Sequence, residues 1–138
     1  MYRPRYFNIQ ELVPKGVYEV YDEELLWLLF DDRILIAADI IRDAYGPMII
    51  NDWHKGGRFD ESGFRSWFTP TGAKLSQHKF GRALDLKPVR GHVNTIREKI
   101  ISRELCNGLV TCVEENVSWL HIDCRMPEGE GIIKVIRP

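Results

Sequence analysis

Apolar and polar positions follow a helical period in some segments of the chain and a period of two in others. The clearest helical segment starts at Asp32, which can cap it, and stops before Gly46-Pro47. Its apolar positions recur at helical spacing and are Ile34, Ala37, Ala38, Ile41 and Tyr45. The same kind of pattern predicts a helix over residues 22–30 and another over roughly residues 91–105.

Short apolar runs bounded by turn residues predict five strands. They cover residues 48–51, 82–87, 110–113, 119–124 and 132–136. Helices come first, then a strand, a long loop, a strand, a helix and three final strands. This order favours an α+β fold with a largely antiparallel sheet and flanking helices. No repeat or linker interrupts the pattern, so residues 1–138 are predicted to form a single domain.

The long loop, from Asp52 to Gln77, shows no periodicity and is rich in Gly, Ser, Thr and aromatic residues. A loop of that length inside a compact domain is usually functional. Binding residues are therefore expected within it or beside it.

The composition is that of an ordinary globular protein. Of the 138 residues, 44% are hydrophobic and 28% are charged, and the formal net charge is −1. The 19 Lys and Arg residues are offset by 20 Asp and Glu residues spread along the chain, whereas nucleic-acid binding usually requires a basic excess or stripe. No nucleic-acid partner is expected, and the protein is predicted to be a monomer.

The N-terminal residues include two Arg but lack the apolar region and the cleavage site of a secretion signal. Charged residues interrupt the longest apolar stretches well before the length of a membrane span. We therefore predict synthesis in the cytoplasm without a signal peptide, and no membrane span. The cysteines are odd in number and lack Cys-x-x-Cys spacing, so they are predicted to be reduced core thiols. They are Cys106, Cys112 and Cys124.

Two histidines and one aspartate have the residue types of a catalytic zinc site. His78 precedes Asp85 by seven residues, so the two side chains can converge from a loop and the strand that follows it. His121 lies on a later strand, where it shares one face with Trp119 and Asp123. Two imidazoles and one carboxylate suit zinc, and a catalytic zinc keeps three protein ligands and leaves the fourth position for water.

The residues around these side chains form two blocks. The blocks are Ser76-x-His78-x-x-Gly81-x-Ala83-x-Asp85 and Trp119-x-His121-x-Asp123. With Ser-Gly-Phe-Arg at residues 62–65 ahead of the first block, they resemble the zinc D-Ala-D-Ala and L-alanyl-D-glutamate peptidases. These form the M15 peptidase family, which shares its fold with the amino-terminal signalling domain of hedgehog proteins. The resemblance is closest to compact members from phages and prophages, including endolysins, and runs from Phe7-Asn8 to about Arg125.

The resemblance implies that His78, Asp85 and His121 bind one zinc ion. It also implies an enzyme, a zinc metallopeptidase in which a zinc-bound water attacks the scissile amide of a peptidoglycan stem peptide. The bond would be of the D-Ala-D-Ala or the L-Ala-D-Glu type, cut by carboxypeptidase or endopeptidase action. Such an enzyme acts on the cell wall after release from the cell, or is carried there by a virion.

The chain departs from many family members at the general base. They place an acidic residue three positions before the last ligand, where this chain has Ser118. Hedgehog-type domains instead place a Glu six positions before it, which corresponds to Glu115, and Glu115 is therefore predicted to act as general base and acid. Glu114 and Asp123 stay open as alternatives for the base. Asp123 is also predicted to orient a ligand or to bind water near the metal.

Three further residues are predicted to bind substrate. Arg65 corresponds to the family Arg that is associated with the carboxylate of the substrate, which a guanidinium can hold through two parallel hydrogen bonds. Ser76 and Gln77 are predicted to support the site by hydrogen bonds or to contact the substrate. Because Ser118 replaces the usual acid, a second function stays open: a non-catalytic, zinc-stabilised binding or virion module.

Overall fold

A mixed five-stranded sheet forms the centre of the structure, a computed structural model that describes residues 1–138. The strands are β1 (Met48–Ile49), β2 (Ala83–Pro88), β3 (Cys112–Glu114), β4 (Leu120–Asp123) and β5 (Lys134–Ile136). Their order across the sheet is β1-β2-β4-β3-β5. Only the β3–β5 pair is parallel, and the other three pairs are antiparallel. The predicted α+β class is confirmed, and the strand ends lie within two residues of the predicted ones.

Three α-helices precede β1 in the chain, and a fourth follows β2. The α-helices are α1 (Lys15–Tyr18), α2 (Glu23–Leu26), α3 (Asp32–Tyr45) and α4 (Val93–Ile101). The 3-10 helices are Ile9–Glu11, Trp27–Leu29, Trp53–Lys55 and Gln77–Phe80. None of the helices has the length and apolar character needed to cross a lipid bilayer.

Each of the three helix predictions needs a correction in detail. The segment predicted as one helix over residues 22–30 is divided into α2 and a 3-10 helix. The helix predicted to reach residue 105 ends at Ile101, because Arg103 adopts a left-handed conformation with φ of 64°. The cap of α3 is Asp31 rather than Asp32, since the Asp31 carboxylate accepts a hydrogen bond from the Arg33 amide at 3.0 Å.

Helix α3 covers one face of the sheet and contacts β2. Its inward residues are fully buried, and Gly46 ends it with φ of 84°, a conformation that residues other than glycine rarely adopt. A hydrophobic cluster of 25 buried residues joins this helix to the sheet. In the sheet, Leu84, Ile122 and Val113 belong to this cluster and lie side by side in the strand register.

The long loop is anchored on the sheet by backbone hydrogen bonds. The Asp85 amide donates to the Ser62 carbonyl at 2.8 Å, and the Arg65 amide donates to the His78 carbonyl at 3.1 Å. At Gly63 a side chain is excluded, because a Cβ atom there would lie 2.1 Å from the Leu12 carbonyl oxygen. The loop therefore lies against the start of β2 and against the 3-10 helix that carries His78.

Candidate metal centre

Three buried side chains converge at the end of the long loop. His78 comes from the 3-10 helix Gln77–Phe80, whereas Asp85 and His121 are directly paired across β2 and β4. One ligand atom from each residue lies within 4.8 Å of the others. Their exposed fractions are 2%, 8% and 7%. The cluster could therefore hold one metal ion, and it contains the three ligands that the sequence predicted.

His78 is oriented by the backbone of the long loop. Its Nδ1 lies 2.7 Å from the Gly63 carbonyl oxygen, to which the ring N–H donates. That hydrogen bond leaves the lone pair on Nε2, which lies 3.4 Å from Asp85 Oδ1. Burial lowers the pKa of His78, against the opposing effect of Asp85. The neutral ring thus presents Nε2 as its ligand atom.

His121 lies between two carboxylates. Its Nδ1 is 2.7 Å from Asp85 Oδ1, and its Nε2 is 3.1 Å from Asp123 Oδ2. Burial opposes charge on this ring, but the hydrogen bonds to Asp123 and Asp85 outweigh it and raise the pKa of His121 to about 9. A carboxylate behind a metal-binding His commonly fixes which nitrogen faces the metal. The contact with Asp123 holds Nε2 of His121 and leaves Nδ1 facing the cluster.

Asp123 was a candidate for the general base, and its surroundings argue for the orienting role instead. It is completely buried, and Arg125 Nε donates to its Oδ1 at 2.8 Å. It does not line the cavity that borders the metal cluster. With His121 in front of it, Asp123 is placed to orient a ligand and not to reach a substrate.

Asp85 is the shared centre of the cluster. Burial opposes its ionisation, but the hydrogen bond from His121 and the nearby His78 ring hold the pKa of Asp85 below its usual range. Its second oxygen, Oδ2, accepts a hydrogen bond from Arg65 Nη2 at 3.0 Å. The carboxylate is thus ionised and fixed in place before any metal binds.

A cavity of about 790 Å³ borders the cluster. All three predicted substrate-binding residues, Arg65, Ser76 and Gln77, line it. The Gln77 Oε1 atom is buried and has no hydrogen-bond partner. An unpaired buried acceptor is costly, so this amide has unused capacity to bind a ligand. Contact of these residues with a substrate stays a prediction.

Glu114, the last residue of β3, and Glu115, which follows it, face opposite sides of the sheet. The register pairs Val113 with Ile122, so the next position along β3, Glu114, lies opposite His121. Side chains at such positions have their Cβ atoms roughly 4.5–5.5 Å apart. Glu114 lines the metal-site cavity, and its carboxylate makes no hydrogen bond or ion pair.

Glu115, the predicted general base, is not brought to the metal cluster. Its carboxylate pairs with Arg137 at 3.0 Å and lines a separate small pocket beside α4. The reason is that β3 continues through Glu114, and successive residues of a strand point to opposite faces. Counting six positions back from His121 identifies Glu115, but this spacing does not take into account how β3 pairs with β4.

No protein-family model matches the chain, and no curated protein or solved structure matches it. The resemblance to zinc peptidases therefore depends on the motif residues and on the geometry of the cluster.

Lys87 is a residue of the cavity that the sequence did not single out. It lies two positions after Asp85 on β2, and its Nζ donates to Ser62 Oγ at 2.8 Å and to the Asp85 carbonyl oxygen at 3.1 Å. Burial lowers the pKa of Lys87 to about 8, so the ammonium is the main form at neutral pH. The alternation of β2 could have revealed it, because it places Lys87 on the same face as Asp85.

The donor set is chemically suited to a catalytic metal. Two imidazole nitrogens and one carboxylate oxygen are favoured by zinc, and three protein ligands leave a position for water or substrate. Here that position borders a cavity lined by Glu114, whose carboxylate has no partner, and by the cations Arg65 and Lys87, among other residues. Residues that could hold a metal, a carboxylate without a partner and two cations thus line the same cavity.

Proposed function

We propose that this protein is a zinc metallopeptidase that cleaves stem peptides of peptidoglycan. The observation that carries the proposal is the buried His78, Asp85 and His121 cluster in the wall of a large cavity. The cavity volume of about 790 Å³ lies within the range usual for ligand sites, roughly 300–1,000 Å³. The two motif blocks support the choice of peptide substrate. The proposal includes the finer fold assignment, the zinc-peptidase fold shared with hedgehog domains.

The residues that would hold the zinc are already oriented for it. His78 Nε2, Asp85 Oδ1 and His121 Nδ1 would be the ligand atoms, and Asp123 would keep the His121 ring in place. When bound, zinc polarises a substrate carbonyl and lowers the pKa of water to about 7. The chain itself must then supply a group that moves the proton.

We assign that proton transfer to Glu114. Its carboxylate accepts a proton from the attacking water as the carbon–oxygen bond forms, and it delivers the proton to the amide nitrogen as the carbon–nitrogen bond breaks. Its position opposite His121 and its lack of other partners support this role. Glu115, held by Arg137 on the other face, is not available for it.

Arg65, Ser76 and Gln77 complete the proposal as substrate-binding residues of the cavity wall. The substrate class also indicates where the protein acts. Stem peptides lie in the cell wall, which the enzyme would reach after release from the cell or as part of a virion.

The test uses purified, zinc-loaded protein with peptidoglycan and with synthetic D-Ala-D-Ala and L-Ala-D-Glu peptides. We expect new amino groups to appear, and mass spectrometry of the products to identify the cut bond. A chelator should stop the release, and added zinc should restore it.

Zinc content must be measured in the same preparations. Stoichiometric zinc without cleavage of any of these substrates would contradict the peptidase and support the zinc-stabilised binding or virion module. Cleavage that survives complete removal of the metal would contradict the role of the cluster.

A further inference from the structure

Lys87 is a cation in the cavity wall without an anionic partner. Its ammonium donates to two neutral oxygens, those of Ser62 and of the Asp85 backbone, and no carboxylate forms an ion pair with it. An ammonium has three donors, so one remains for a ligand. Removing a cation from bulk water is costly unless an opposite charge compensates it. The carboxylates of Asp85 and Asp52 act on Lys87 only from beyond ion-pair distance, so its ammonium keeps a free donor for an anionic ligand.

The position of this ammonium is fixed by its surroundings. Its Nζ lies 4.3 Å from the centre of the Phe59 ring, in a cation–π contact. Ser62, which accepts one of its hydrogen bonds, is buried and is also held by the Asn51 side chain at 2.9 Å. Lys87 is thus held by the long loop and does not move freely as surface lysines do.

The other cations of the cavity are already paired or are exposed. Arg65 Nη2 donates to Asp85 at 3.0 Å, and Arg65 Nε donates to the Glu61 carbonyl oxygen at 2.6 Å. Arg125 pairs with Asp123, and Arg58 is exposed to solvent. Among the cations of the cavity wall, Lys87 is therefore the half-buried one whose charge is not in an ion pair.

We propose that Lys87 binds a carboxylate of the peptide substrate, which makes anionic peptides the preferred substrate class. Two residues along a strand span roughly 7 Å, which separates Lys87 from Asp85 at the metal site. The substrate carboxylate that Lys87 binds would therefore lie within about one residue of the scissile bond. A stem peptide can supply it from a free C-terminus or from the free α-carboxyl group of a D-glutamate. This inference rests on the proposed peptidase function and specifies its substrate.

The test is a binding experiment that does not require turnover. Zinc-loaded Glu114→Gln protein is titrated calorimetrically with N-acetyl-D-alanyl-D-alanine and with its C-terminal amide. A parallel pair of peptides contains L-alanyl-D-glutamate with an amidated γ-carboxyl group and with the α-carboxyl group either free or amidated. Because a hydrogen bond to a charged group is worth about a tenfold change or more in affinity, one acid should bind at least about tenfold more tightly than its amide. The pair that shows this preference identifies the source of the carboxylate.

Three substitutions assign the preference to Lys87. Lys87→Met, which keeps the apolar stem but removes the charge, should abolish the preference for the acid. Lys87→Arg should retain part of it, and Lys99→Met, on the exposed face of α4, should leave it unchanged. The thermal midpoint of each variant shows whether the fold survives.

The inference is overturned if Glu114→Gln protein with Lys87 intact binds acid and amide equally in both pairs, or binds none of the four peptides. It is also overturned if folded Lys87→Met keeps the preference. The peptidase function is tested separately, because its failure would show as an absence of cleavage by protein with Glu114 intact. The comparison of acid with amide would still decide whether Lys87 binds a carboxylate.

Discussion

The two faces of the sheet carry opposite kinds of side chain at adjacent positions. Two neighbouring rows cross strands β2, β4 and β3, one on each face. They are Leu84, Ile122 and Val113 on the core face, and Asp85, His121 and Glu114 on the cavity face. The backbone pairing is the same in both rows, so the different roles follow from what each face contacts.

On the core face, apolar side chains pack into the cluster beneath α3, and their burial favours folding by about 25 cal/mol per Å². On the cavity face, Asp85 and His121 are buried in contact with one another, which costs free energy unless they are mutually paired. We infer that one face stabilises the protein and the other performs its chemistry. Substitutions at adjacent residues should separate the two.

The largest difference is expected between His121 and its neighbour Ile122 on β4. His121→Ala should remove stoichiometric zinc and reduce peptide release to background, because one of three ligands is lost. Ile122→Ala should keep one zinc ion but lower the free energy of unfolding by about 2–5 kcal/mol through the cavity it creates. Zinc analysis and urea unfolding measure both effects. Retention of stoichiometric zinc by His121→Ala would show that the ligand assignment is wrong.

The next difference is expected between the adjacent glutamates. Glu114→Gln should lower kcat by about 10²–10⁴-fold while zinc stays bound, because the proton-transfer group is lost. Glu115→Gln removes only a partly exposed ion pair with Arg137, worth about 1 kcal/mol or less, and should leave kcat within about twofold. Steady-state kinetics of both variants with the same peptide shows which of the two glutamates transfers the proton. A larger loss in Glu115→Gln would restore the role predicted from the sequence.

A smaller effect is expected behind the metal. Asp123→Asn should weaken zinc affinity by about 10–100-fold, since the His121 ring loses the carboxylate that fixes its orientation. Competition with a chromogenic chelator measures this change, and Glu128→Gln, at an exposed ion pair, serves as the control. Unchanged affinity in the folded Asp123→Asn protein would mean that Asp123 has no influence on the metal.

The smallest effect is expected at the thiols. Burial raises the pKa of Cys106, Cys112 and Cys124 to about 12. At pH 8 their thiolate fraction should therefore be lower than that of an ordinary cysteine by about three orders of magnitude. Mass spectrometry after alkylation should find no modified cysteine in the folded protein and all three modified in urea. Rapid labelling of the folded protein, or zinc release on labelling, would contradict their place in the core.

The sequence was sufficient for the features that depend on local patterns. Apolar periodicity located α3 and the five strands, and the motif blocks selected His78, Asp85 and His121 as the cluster. This cluster could be predicted because each of its residues lies in a short, recognisable run of the sequence. The α+β class followed from the order of these elements.

The features that the sequence missed depend on how distant segments pair. Glu114 and Glu115 are chemically identical neighbours, and only the register of β3 on β4 decides which one faces His121. The alternation of β2 places Lys87 on the face of Asp85, but only the path of the long loop shows that Ser62 and Phe59 surround its ammonium. Neither the register nor the loop path can be derived from the spacing of motif residues.

The central claim is that one zinc ion binds on the cavity face with Glu114 beside it. The most direct test is a crystal structure of the zinc-loaded protein, with anomalous data collected at the zinc edge. We predict one strong peak about 2.0–2.2 Å from His78 Nε2, Asp85 Oδ1 and His121 Nδ1, with the Glu114 carboxylate within hydrogen-bond reach of the remaining coordination position. A zinc ion bound elsewhere, or to a cysteine sulfur, or with Glu115 in the place of Glu114, would contradict it.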